Sequence, residues 1–521
     1  MINRQTVTRS QSDADFDQRT LGFISRRYGL LEKWPIPEIC AFLITVIVML
    51  LYRKLNQPEG GDSAIWDYVA QCILRGQVPY RDVVEIKSPL SAYLSAAAMF
   101  IGKLVGIRDV IAVRLVNVLM AGLLSSVTYV LGVRYFGSRI AAAIAFVIPL
   151  TPSHLTEWVL GGTEPKLPMI LFGMVSLLFI AKQEPFWAGF FSMLACLCWQ
   201  PGLMFTGVAV LIFSRYLTRW RNRAALKVIA GAVAPLLILI LYFLWAGALS
   251  DLWSWTVAFN LRVYAPETAR SLYETLAVLW KVLIRVFGFD LLFVAIAFAG
   301  LIAFSIERVK EIRKQGIQAH EGTSYRDALV ITPLVYFGFC IINFQSGPDL
   351  IPLFPFIGLF AGYLIVRLSF RRQPERRIAR VIPSFALIAL LVLVFLRSTI
   401  FRTDPTETLQ HQNERITAIA RLLGPGDRIY VHGSVELLVL LNKANMNPYV
   451  FLDRGKDRWI AKRKGEDFHE IINEMESQAP KIVIASRLGK VAHRRELEGW
   501  IDDHYTRASL PGLEGIYVRG Q

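Results

Sequence analysis

Residues 60–93 read GGDSAIWDYVAQCILRGQVPYRDVVEIKSPLSAY and concentrate charge between two apolar runs. Such a stretch is typical either of a solvated loop whose charges pair with one another or with lipid headgroups, or of a functional site at a membrane surface. Deciding between the two requires the rest of the chain. The charged residues of the stretch are Asp62, Asp67, Arg75, Arg81, Asp82, Glu85 and Lys87.

The composition is that of a membrane protein. The chain has 521 residues, of which 54% are hydrophobic, and its mean hydropathy of +0.42 exceeds that of ordinary soluble proteins. The formal net charge is +16, which in a soluble chain would suggest nucleic acid. Here the basic residues lie mainly between apolar runs, so they indicate membrane topology, and no nucleic-acid partner is predicted.

Apolar runs long enough to cross a bilayer recur through the first four hundred positions, and we count about eleven. The third, fifth and sixth are short. The predicted cores are 37–55, 110–132, 139–152, 165–182, 186–199, 201–215, 228–248, 288–305, 328–345, 351–368 and 381–398.

Basic residues in short loops predict the orientation, because they favour the cytoplasmic side. Arg26, Arg27 and Lys33 precede the first run, whereas the alternate loops 151–164 and 345–349 contain no Lys or Arg. We therefore predict a multi-pass protein of the cell inner (plasma) membrane. Residues 1–34 form its cytoplasmic N-terminal segment, and residues after about 400 lie outside.

Two outside segments, 56–108 and 249–287, are too long to be simple connections and are expected to carry function. Within the first, the apolar run from Leu90 to Leu104 contains Ser91, Tyr93 and Ser95. It is therefore predicted as an interfacial or re-entrant helix, and counting it as a span would break the alternation.

From about residue 401 the composition becomes that of a soluble domain. Short β-rich runs alternate with helical patterns, which predicts a C-terminal extracytoplasmic α/β domain over 401–521. The predicted strands are Arg428–Val431, Tyr449–Leu452, Lys481–Ala485 and Gly515–Val518, and the predicted helices are Glu407–Leu423 and Asp467–Gln478.

Asp62 follows Gly60-Gly61 at the start of an amphipathic stretch, where a helix N-terminus favours a carboxylate. A helix N-cap is the competing interpretation. Glu164 could hold a metal, position an acceptor or assist a base, or it could be a helix N-terminal carboxylate before Pro165. In the second outside segment Arg262, Tyr264 and Arg270 suit contact with a lipid phosphate or a sugar.

Several motifs resemble the GT-C glycosyltransferases, polytopic enzymes that include protein O-mannosyltransferases and aminoarabinose transferases of lipid A. The resemblance covers about 35–400. Just before the predicted span 351–368 the chain departs from the family pattern. It has Gln345-Ser346-Gly347-Pro348-Asp349 where many relatives have a basic or aromatic pair. The matching pieces are Asp62, Ala70, Gly76, Pro79-Tyr80-Arg81-Asp82, Glu85-Ile86-Lys87-Ser88-Pro89, Gly162-Thr163-Glu164-Pro165 and Ile351-Pro352-Leu353-Phe354-Pro355.

The resemblance implies a GT-C-like catalytic region of about eleven transmembrane helices. It also implies a hexosyl- or pentosyltransferase that takes its sugar from a polyprenyl phosphate on the extracytoplasmic face. The expected acceptor is a lipid-linked glycan, a polysaccharide or a protein. Nucleotide sugars are made in the cytoplasm, so an enzyme working outside needs such a membrane-borne donor.

Transfer requires a base for the acceptor hydroxyl and a positive charge for the departing phosphate. Asp62 and Glu164 are the catalytic candidates, with Asp62 as the base. Lys87, Arg81, Arg262 and Arg270 are the donor-phosphate candidates. Tyr80, Glu85 and Tyr264 are the candidates for acceptor or sugar contact.

The alternative function is a transporter or flippase of lipid-linked saccharide. That interpretation predicts ionisable residues at mid-membrane depth and paired broken helices, whereas the charges here gather at the outer surface. None of the seven histidines has metal-ligand spacing with another His or a Cys. No metal ligand is assigned, although a divalent metal is possible.

Overall fold

The structure is a computed structural model. It describes residues 35–214, 223–315, 325–372, 378–424, 426–464, 468–486, 488–508 and 515–519. The predicted cytoplasmic segment 1–34 lies outside the described residues, as do Arg215, Arg219, Arg221, Arg376 and Arg377 among the basic loop residues.

Helices dominate the described residues from 35 to 399, and a helix lies at each position where an apolar run predicts a span. The helices of the apolar region are α1 (Ile36–Leu51), α2 (Gly61–Leu74), α3 (Leu90–Leu104), α4 (Asp109–Phe136), α5 (Arg139–Val147), α6 (Ser153–Val159), α7 (Lys166–Ala181), α8 (Pro185–Cys198), α9 (Leu203–Ser214), α10 (Arg223–Trp245), α11 (Leu249–Trp253), α12 (Ala265–Thr268), α13 (Leu272–Phe287), α14 (Leu291–Gln315), α15 (Tyr325–Asn343), α16 (Phe354–Arg372) and α17 (Ile378–Thr399).

The chain is a polytopic membrane protein. Among the described residues, six helices are long and apolar enough to cross a bilayer, or seven if the bent pair 139–150 and 153–159 forms one span. The helices α1, α3, α7, α8 and the segment 200–214 are apolar but shorter. The total of about eleven spans therefore stays a prediction, because a short helix crosses only where the bilayer thins or its polar ends extend it.

Glycines let the helices approach closely, as is common in membranes. A Cβ on Gly189 of α8 would lie 1.9 Å from the Val228 carbonyl oxygen of α10. A Cβ on Gly231 of α10 would lie 1.9 Å from the Phe186 carbonyl oxygen of α8. The two backbones therefore pack against each other through reciprocal glycines.

The segment after α11 is an irregular helix that packs on the end of α10. Residues Ser254–Tyr264 form a π-helical stretch that continues directly into α12. Its Trp255 and Phe259 are buried, and they pack with Phe243 of α10 and with Tyr80 in one apolar cluster. The second outside segment is therefore packed against the first.

The C-terminal region contains a four-stranded sheet in the order β1, β2, β4, β3. The β1 and β2 strands are parallel, and β4 is antiparallel to both β2 and β3. Its elements are α18 (Leu409–Leu422), β1 (Ile429–His432), α19 (Glu436–Leu441), α20 (Lys456–Lys464), α21 (His469–Gln478), β2 (Ile482–Ala485), α22 (Arg494–His504), β3 (Tyr505–Arg507) and β4 (Ile516–Arg519).

One predicted strand is wrong. Residues 449–452 form no strand, because their backbone groups bind elsewhere. The Val450 carbonyl accepts from the Gly433 N–H, and the Leu452 N–H donates to the imidazole of His432. The strand β3 (Tyr505–Arg507) is an addition that the sequence patterns did not indicate.

The C-terminal region contacts the first outside segment through polar groups. The Gln412 side chain binds both backbone groups of Glu59, accepting from its N–H at 2.8 Å and donating to its carbonyl at 2.7 Å. The Tyr68 hydroxyl accepts from the Asn445 N–H at 2.7 Å. These buried bonds hold the sheet region against α2.

We expect Gly231→Ala to lower the apparent unfolding temperature of the detergent-solubilised protein. The added methyl group would displace the Phe186 carbonyl, and overpacking of this kind costs about 1–3 kcal/mol. Gly207→Ala in α9 is the matched control, because a Cβ there meets no atom within 4 Å. Equal unfolding temperatures for the two variants would contradict close α8–α10 packing.

Candidate active site

A buried arginine joins the segments that precede α2 and α7. Arg114 of α4 is fully buried, and its guanidinium donates to the carbonyls of Leu55 and Gln57 at 2.7 Å each. It also donates to the Gly161 carbonyl at 3.4 Å and to the Glu59 carboxyl at 3.1 Å. One side chain therefore connects the segment before α2 to the loop before α7.

Glu59 and Asp67 form a buried carboxyl pair beside this guanidinium. Their second oxygens, Glu59 Oε1 and Asp67 Oδ2, have no conventional partner among the described residues. Burial, followed by the charge of Asp67, raises the pKa of Glu59 well above its usual range. The raised pKa favours the protonated form of Glu59, which reduces the repulsion between the two carboxyl groups beside Arg114.

The loop 161–164 closes over this pair. The Thr163 hydroxyl and N–H both donate to Asp67, and the Asn117 amide of α4 donates to the Gly162 carbonyl at 2.6 Å. Gly162 has a φ of +132°, and a Cβ there would lie 2.7 Å from Asp67 Oδ2. Only glycine fits this position, which fixes the course of the chain into Glu164, two residues before α7.

Asp62 lies in the first turn of α2 and is exposed. The N-cap position belongs to Gly60, so Asp62 is not the N-cap residue. Its charge lies close enough to Lys166 for the two to interact. Asp62 is thus an open carboxylate at the edge of a charged cluster.

Glu164 is paired with Lys166 at the start of α7. Its carboxylate accepts from the Lys166 ammonium at 3.1 Å and from the Lys166 backbone N–H at 3.2 Å. The same ammonium lies 3.7 Å from Asp349 and 4.9 Å from the centre of the Trp199 ring. Burial raises the pKa of Glu164, and the charge of Lys166 opposes that rise.

Lys87 has no carboxylate within ion-pair distance among the described residues. Its ammonium lies 5.7 Å from the centre of the Trp199 ring and 5.8 Å from that of Tyr264. Trp199 therefore lies beside both Lys87 and Lys166. Aromatic faces stabilise a cation without cancelling its charge, so Lys87 remains available to an anion.

The backbone at Lys87 is fixed by residues that the sequence assigned to acceptor or sugar contact. The buried Tyr80 donates to the Lys87 carbonyl at 2.7 Å. The buried Glu85 carboxylate accepts from the N–H groups of Ile86 and Lys87 at 2.8 and 3.0 Å. Both side chains position Lys87, and their contact with a substrate stays a prediction.

Tyr264 lies between the membrane region and the C-terminal region. Its hydroxyl donates to Gln345 at 2.8 Å and accepts from the Arg454 guanidinium at 2.9 Å. Arg270 donates to the Phe344 carbonyl at 3.0 Å, next to Gln345. The departure of residues 345–349 from the family pattern is thus explained in part: Gln345 binds Tyr264, and Asp349 binds Lys166.

Two of the predicted phosphate residues are exposed at the surface. Arg81 is exposed and binds Asp82 at 2.8 Å and the Ala246 carbonyl at 2.7 Å. Arg262 is exposed on the π-helical stretch. The structure brings together Asp62, Glu164, Lys87 and Tyr264 with the additional residues Lys166, Trp199, Asp349 and Arg454.

A small recess lies beside Glu164, between α3, α4 and α7. Its polar wall contains Ser91, Ser95, Asn117 and Thr163, and the rest of the lining is apolar. Among the described residues, no group of three or more His, Cys, Asp and Glu side chains is arranged to hold a metal ion.

Comparisons with known proteins agree with this architecture. No family model matches the chain. A dolichol phosphate-mannose mannosyltransferase from Haloferax volcanii is 22% identical over 354 residues, which cover 66% of this chain and 70% of the relative.

Two kinds of solved structure are similar. The crystal structure of ArnT from Cupriavidus metallidurans bound to undecaprenyl phosphate aligns with a TM-score of 0.58 at 12% identity, covering 92% of this chain and 97% of that one. The archaeal oligosaccharyltransferase AglB from Archaeoglobus fulgidus, in complex with an inhibitory peptide and a dolichol-phosphate, aligns with a TM-score of 0.52 at 12% identity, covering 92% and 74%. The resemblance to the GT-C superfamily is confirmed, and the chain has the fold of these glycosyltransferases.

We expect Arg114→Gln to destabilise the protein by about 3–5 kcal/mol, because it leaves the buried Asp67 charge uncompensated. Glu59→Gln should cost less than about 1 kcal/mol, since a neutral glutamine amide of similar shape replaces a neutral, protonated Glu59. Apparent unfolding temperatures in detergent compare the two variants. Equal destabilisation by both would contradict a protonated Glu59.

The same pair predicts a pH dependence. The folded protein retains a proton on Glu59 that the unfolded chain has already released, because folding raises the pKa of that carboxyl. This stabilisation is fully present below the ordinary glutamate range and is lost as the pH rises towards the folded pKa. Unfolding temperatures measured from pH 5 to pH 9 should therefore fall less steeply in Glu59→Gln than in the wild type.

Proposed function

We propose that this protein is an integral-membrane glycosyltransferase that moves a sugar from a polyprenyl phosphate to an acceptor hydroxyl. The observation that carries the proposal is the arrangement around Trp199, where Lys87 has no carboxylate partner in the described part of the chain and Lys166 has two. Similar proteins act with or bind dolichol phosphate and undecaprenyl phosphate, which supports a lipid phosphate as the donor's carrier.

The reaction would proceed as a displacement at the anomeric carbon. The bond between that carbon and the phosphate oxygen breaks, and its electron pair stays with the phosphate. The acceptor oxygen forms the new bond with inversion, and its proton goes to the Asp62 carboxylate. Lys87 stabilises the charge that develops on the departing phosphate.

Glu164 and Asp349 hold Lys166 between them and so form the other wall of the site. Because the Glu164 carboxylate is already engaged by Lys166, its best-supported role is to position that ammonium and the start of α7. Arg270 can supply a further positive charge from the Gln345 side. The Tyr264 hydroxyl binds Gln345, and its ring lies beside the Lys87 ammonium. A sugar or phosphate bound here would therefore contact Tyr264.

The proposed active site faces the extracytoplasmic side of the inner membrane. In this proposal the chain has about eleven spans, and residues 35–400 form the catalytic region. The loop of 151–164 and the stretch 345–349, which both reach the site, contain no Lys or Arg, as expected for that side. The C-terminal region 401–521 then lies outside as an α/β domain. Its contacts with Glu59 and Tyr68 support placing the C-terminal region and the first outside segment on the same side of the membrane.

The transferred group is a hexose or a pentose, and the acceptor is a lipid-linked glycan, a polysaccharide or a protein. The candidate site offers carboxylates, ammonium groups and aromatic faces, which suit a sugar joined to a phosphate. The flippase alternative is disfavoured, because the cluster around Lys87 and Lys166 lies at helix ends and in connecting segments, whereas transport sites lie at mid-membrane depth.

Loss of the base should reduce turnover. We expect Asp62→Asn to lower kcat by about 10²- to 10⁴-fold with a smaller change in KM, because no carboxylate is then present to take the proton of the acceptor hydroxyl. The measurement is transfer of radiolabel from polyprenyl-phosphate sugars into membrane products at equal expression. Asp502→Asn, an exposed carboxylate on α22, is the control.

Undiminished transfer by Asp62→Asn would remove that carboxylate from the mechanism. A wild type that transfers nothing across several donors and acceptors would instead favour the transporter. Repeating the wild-type assay with EDTA tests whether a divalent metal takes part.

Loss of the Lys87 ammonium should weaken use of the donor. We expect Lys87→Gln to reduce kcat/KM for the polyprenyl-phosphate sugar by about 10- to 100-fold, the usual effect of losing a hydrogen bond from a charged group. Lys103→Gln, at the exposed end of α3, is the matched control. Equal kcat/KM values for Lys87→Gln and the control would exclude Lys87 from phosphate contact.

A further inference from the structure

A segment of the C-terminal region, residues 453–459, docks on the second outside segment, and it comprises the turn before α20 and the first residues of that helix. Gly455 has a φ of +76°, and a Cβ on it would lie 2.6 Å from both Glu267 Oε1 and Val263 Cγ1. The loop can therefore approach this closely only with glycine at 455. We call residues 453–459 the Arg454 loop.

Polar contacts fix the Arg454 loop on both sides. Arg458 binds Glu267, and the Trp459 indole donates to Ser254 Oγ at 3.3 Å. At its base, the Leu452 N–H donates to His432 Nε2 at 3.0 Å. Burial lowers the pKa of His432, so this imidazole is neutral and can accept the bond. The loop is thus held against the membrane region by several independent bonds.

The Arg454 side chain points to Tyr264. Its Nη1 donates to the Tyr264 hydroxyl at 2.9 Å and lies 3.4 Å from Gln345 Oε1. Its Nε lies 3.9 Å from Asp453, a carboxylate that binds Lys456 at the shorter distance of 3.1 Å. The Arg454 side chain stays 41% exposed, and its Nη2 has no hydrogen-bond partner among the described residues. Donors are therefore left for a ligand.

Arg454 and Lys87 share one aromatic ring. The guanidinium carbon lies 5.7 Å from the centre of the Tyr264 ring, and the Lys87 ammonium lies 5.8 Å from the same centre. The two cations are therefore no further apart than the sum of those distances. The carboxylates nearest to them are occupied: Glu85 binds backbone N–H groups, and Asp453 binds Lys456.

Resting on the function proposed above, we propose that Arg454 is a second cation of the donor-phosphate site, supplied by the C-terminal region and acting with Lys87. Cleavage of the sugar–phosphate bond converts a singly charged phosphodiester into a phosphomonoester that can carry two charges. A second cation beside Tyr264 therefore stabilises the departing phosphate more than the intact donor. This gives the C-terminal region a direct part in the reaction.

The test measures binding of undecaprenyl phosphate to the purified full-length protein in nanodiscs, with undecaprenol as the phosphate-free probe. We expect Arg454→Gln to weaken binding of undecaprenyl phosphate by about tenfold or more, as for loss of a charged hydrogen bond. Arg454→Lys should lose less, because it keeps the charge. Binding of undecaprenol should not change, and Arg495→Gln, an exposed arginine of α22, should bind both lipids as the wild type does.

Undiminished binding of undecaprenyl phosphate by Arg454→Gln would overturn the inference and leave the proposed function intact. Equal losses for undecaprenyl phosphate and undecaprenol, or for the Gln and Lys variants, would assign Arg454 to packing alone and also overturn it. If the wild type bound undecaprenyl phosphate no better than undecaprenol, the proposed function itself would fail.

Discussion

The contact between Arg114 and the carbonyls around it is the interaction on which the candidate site depends. Its guanidinium joins the segment 55–59 to Gly161 and lies beside the Glu59–Asp67 pair. Asp62 follows three positions after Glu59, and Glu164 follows three positions after Gly161. Both catalytic candidates are therefore placed by one buried side chain. Removing that charge would leave several carbonyls and a carboxylate without a partner in an apolar setting.

The helices and the residues of the first outside segment could be predicted from sequence, but their connections could not. Apolar runs give the positions of the helices, and the stretch 60–93 contains both Asp62 and Lys87. Arg114 was not predicted as a site residue, because it lies inside a predicted span, 110–132, and the candidate residues were taken from the predicted loops. The available signal was an ionisable residue within an apolar run, which is costly there unless it is paired. Its partners could not be predicted, since they depend on how three segments fold together.

Other differences have the same origin in tertiary contacts. Residues 449–452 have a β-like pattern, but the buried His432 takes the Leu452 N–H that a neighbouring strand would have used. Tyr80 and Glu85 lie in the motif that resembles the family, and sequence alone cannot separate a residue that touches substrate from one that holds its neighbour. In the structure both fix the backbone of Lys87. Arg454 is far from Tyr264 in sequence, so no local pattern could connect them.

The two lysines beside Trp199 show how the site combines an ion-paired ammonium group with one held by aromatic rings. Lys166 lies between Glu164 and Asp349, so an anion binding there would compete with carboxylates already in place. Lys87 lies against the faces of Trp199 and Tyr264, which stabilise an ammonium group by about 0.5–2 kcal/mol and leave its charge uncompensated. A departing phosphate would therefore be attracted to Lys87, while Lys166 keeps the opposite wall in place. The aromatic rings thus allow Lys87 to keep its charge available to an anion while it lies close to the ion-paired Lys166.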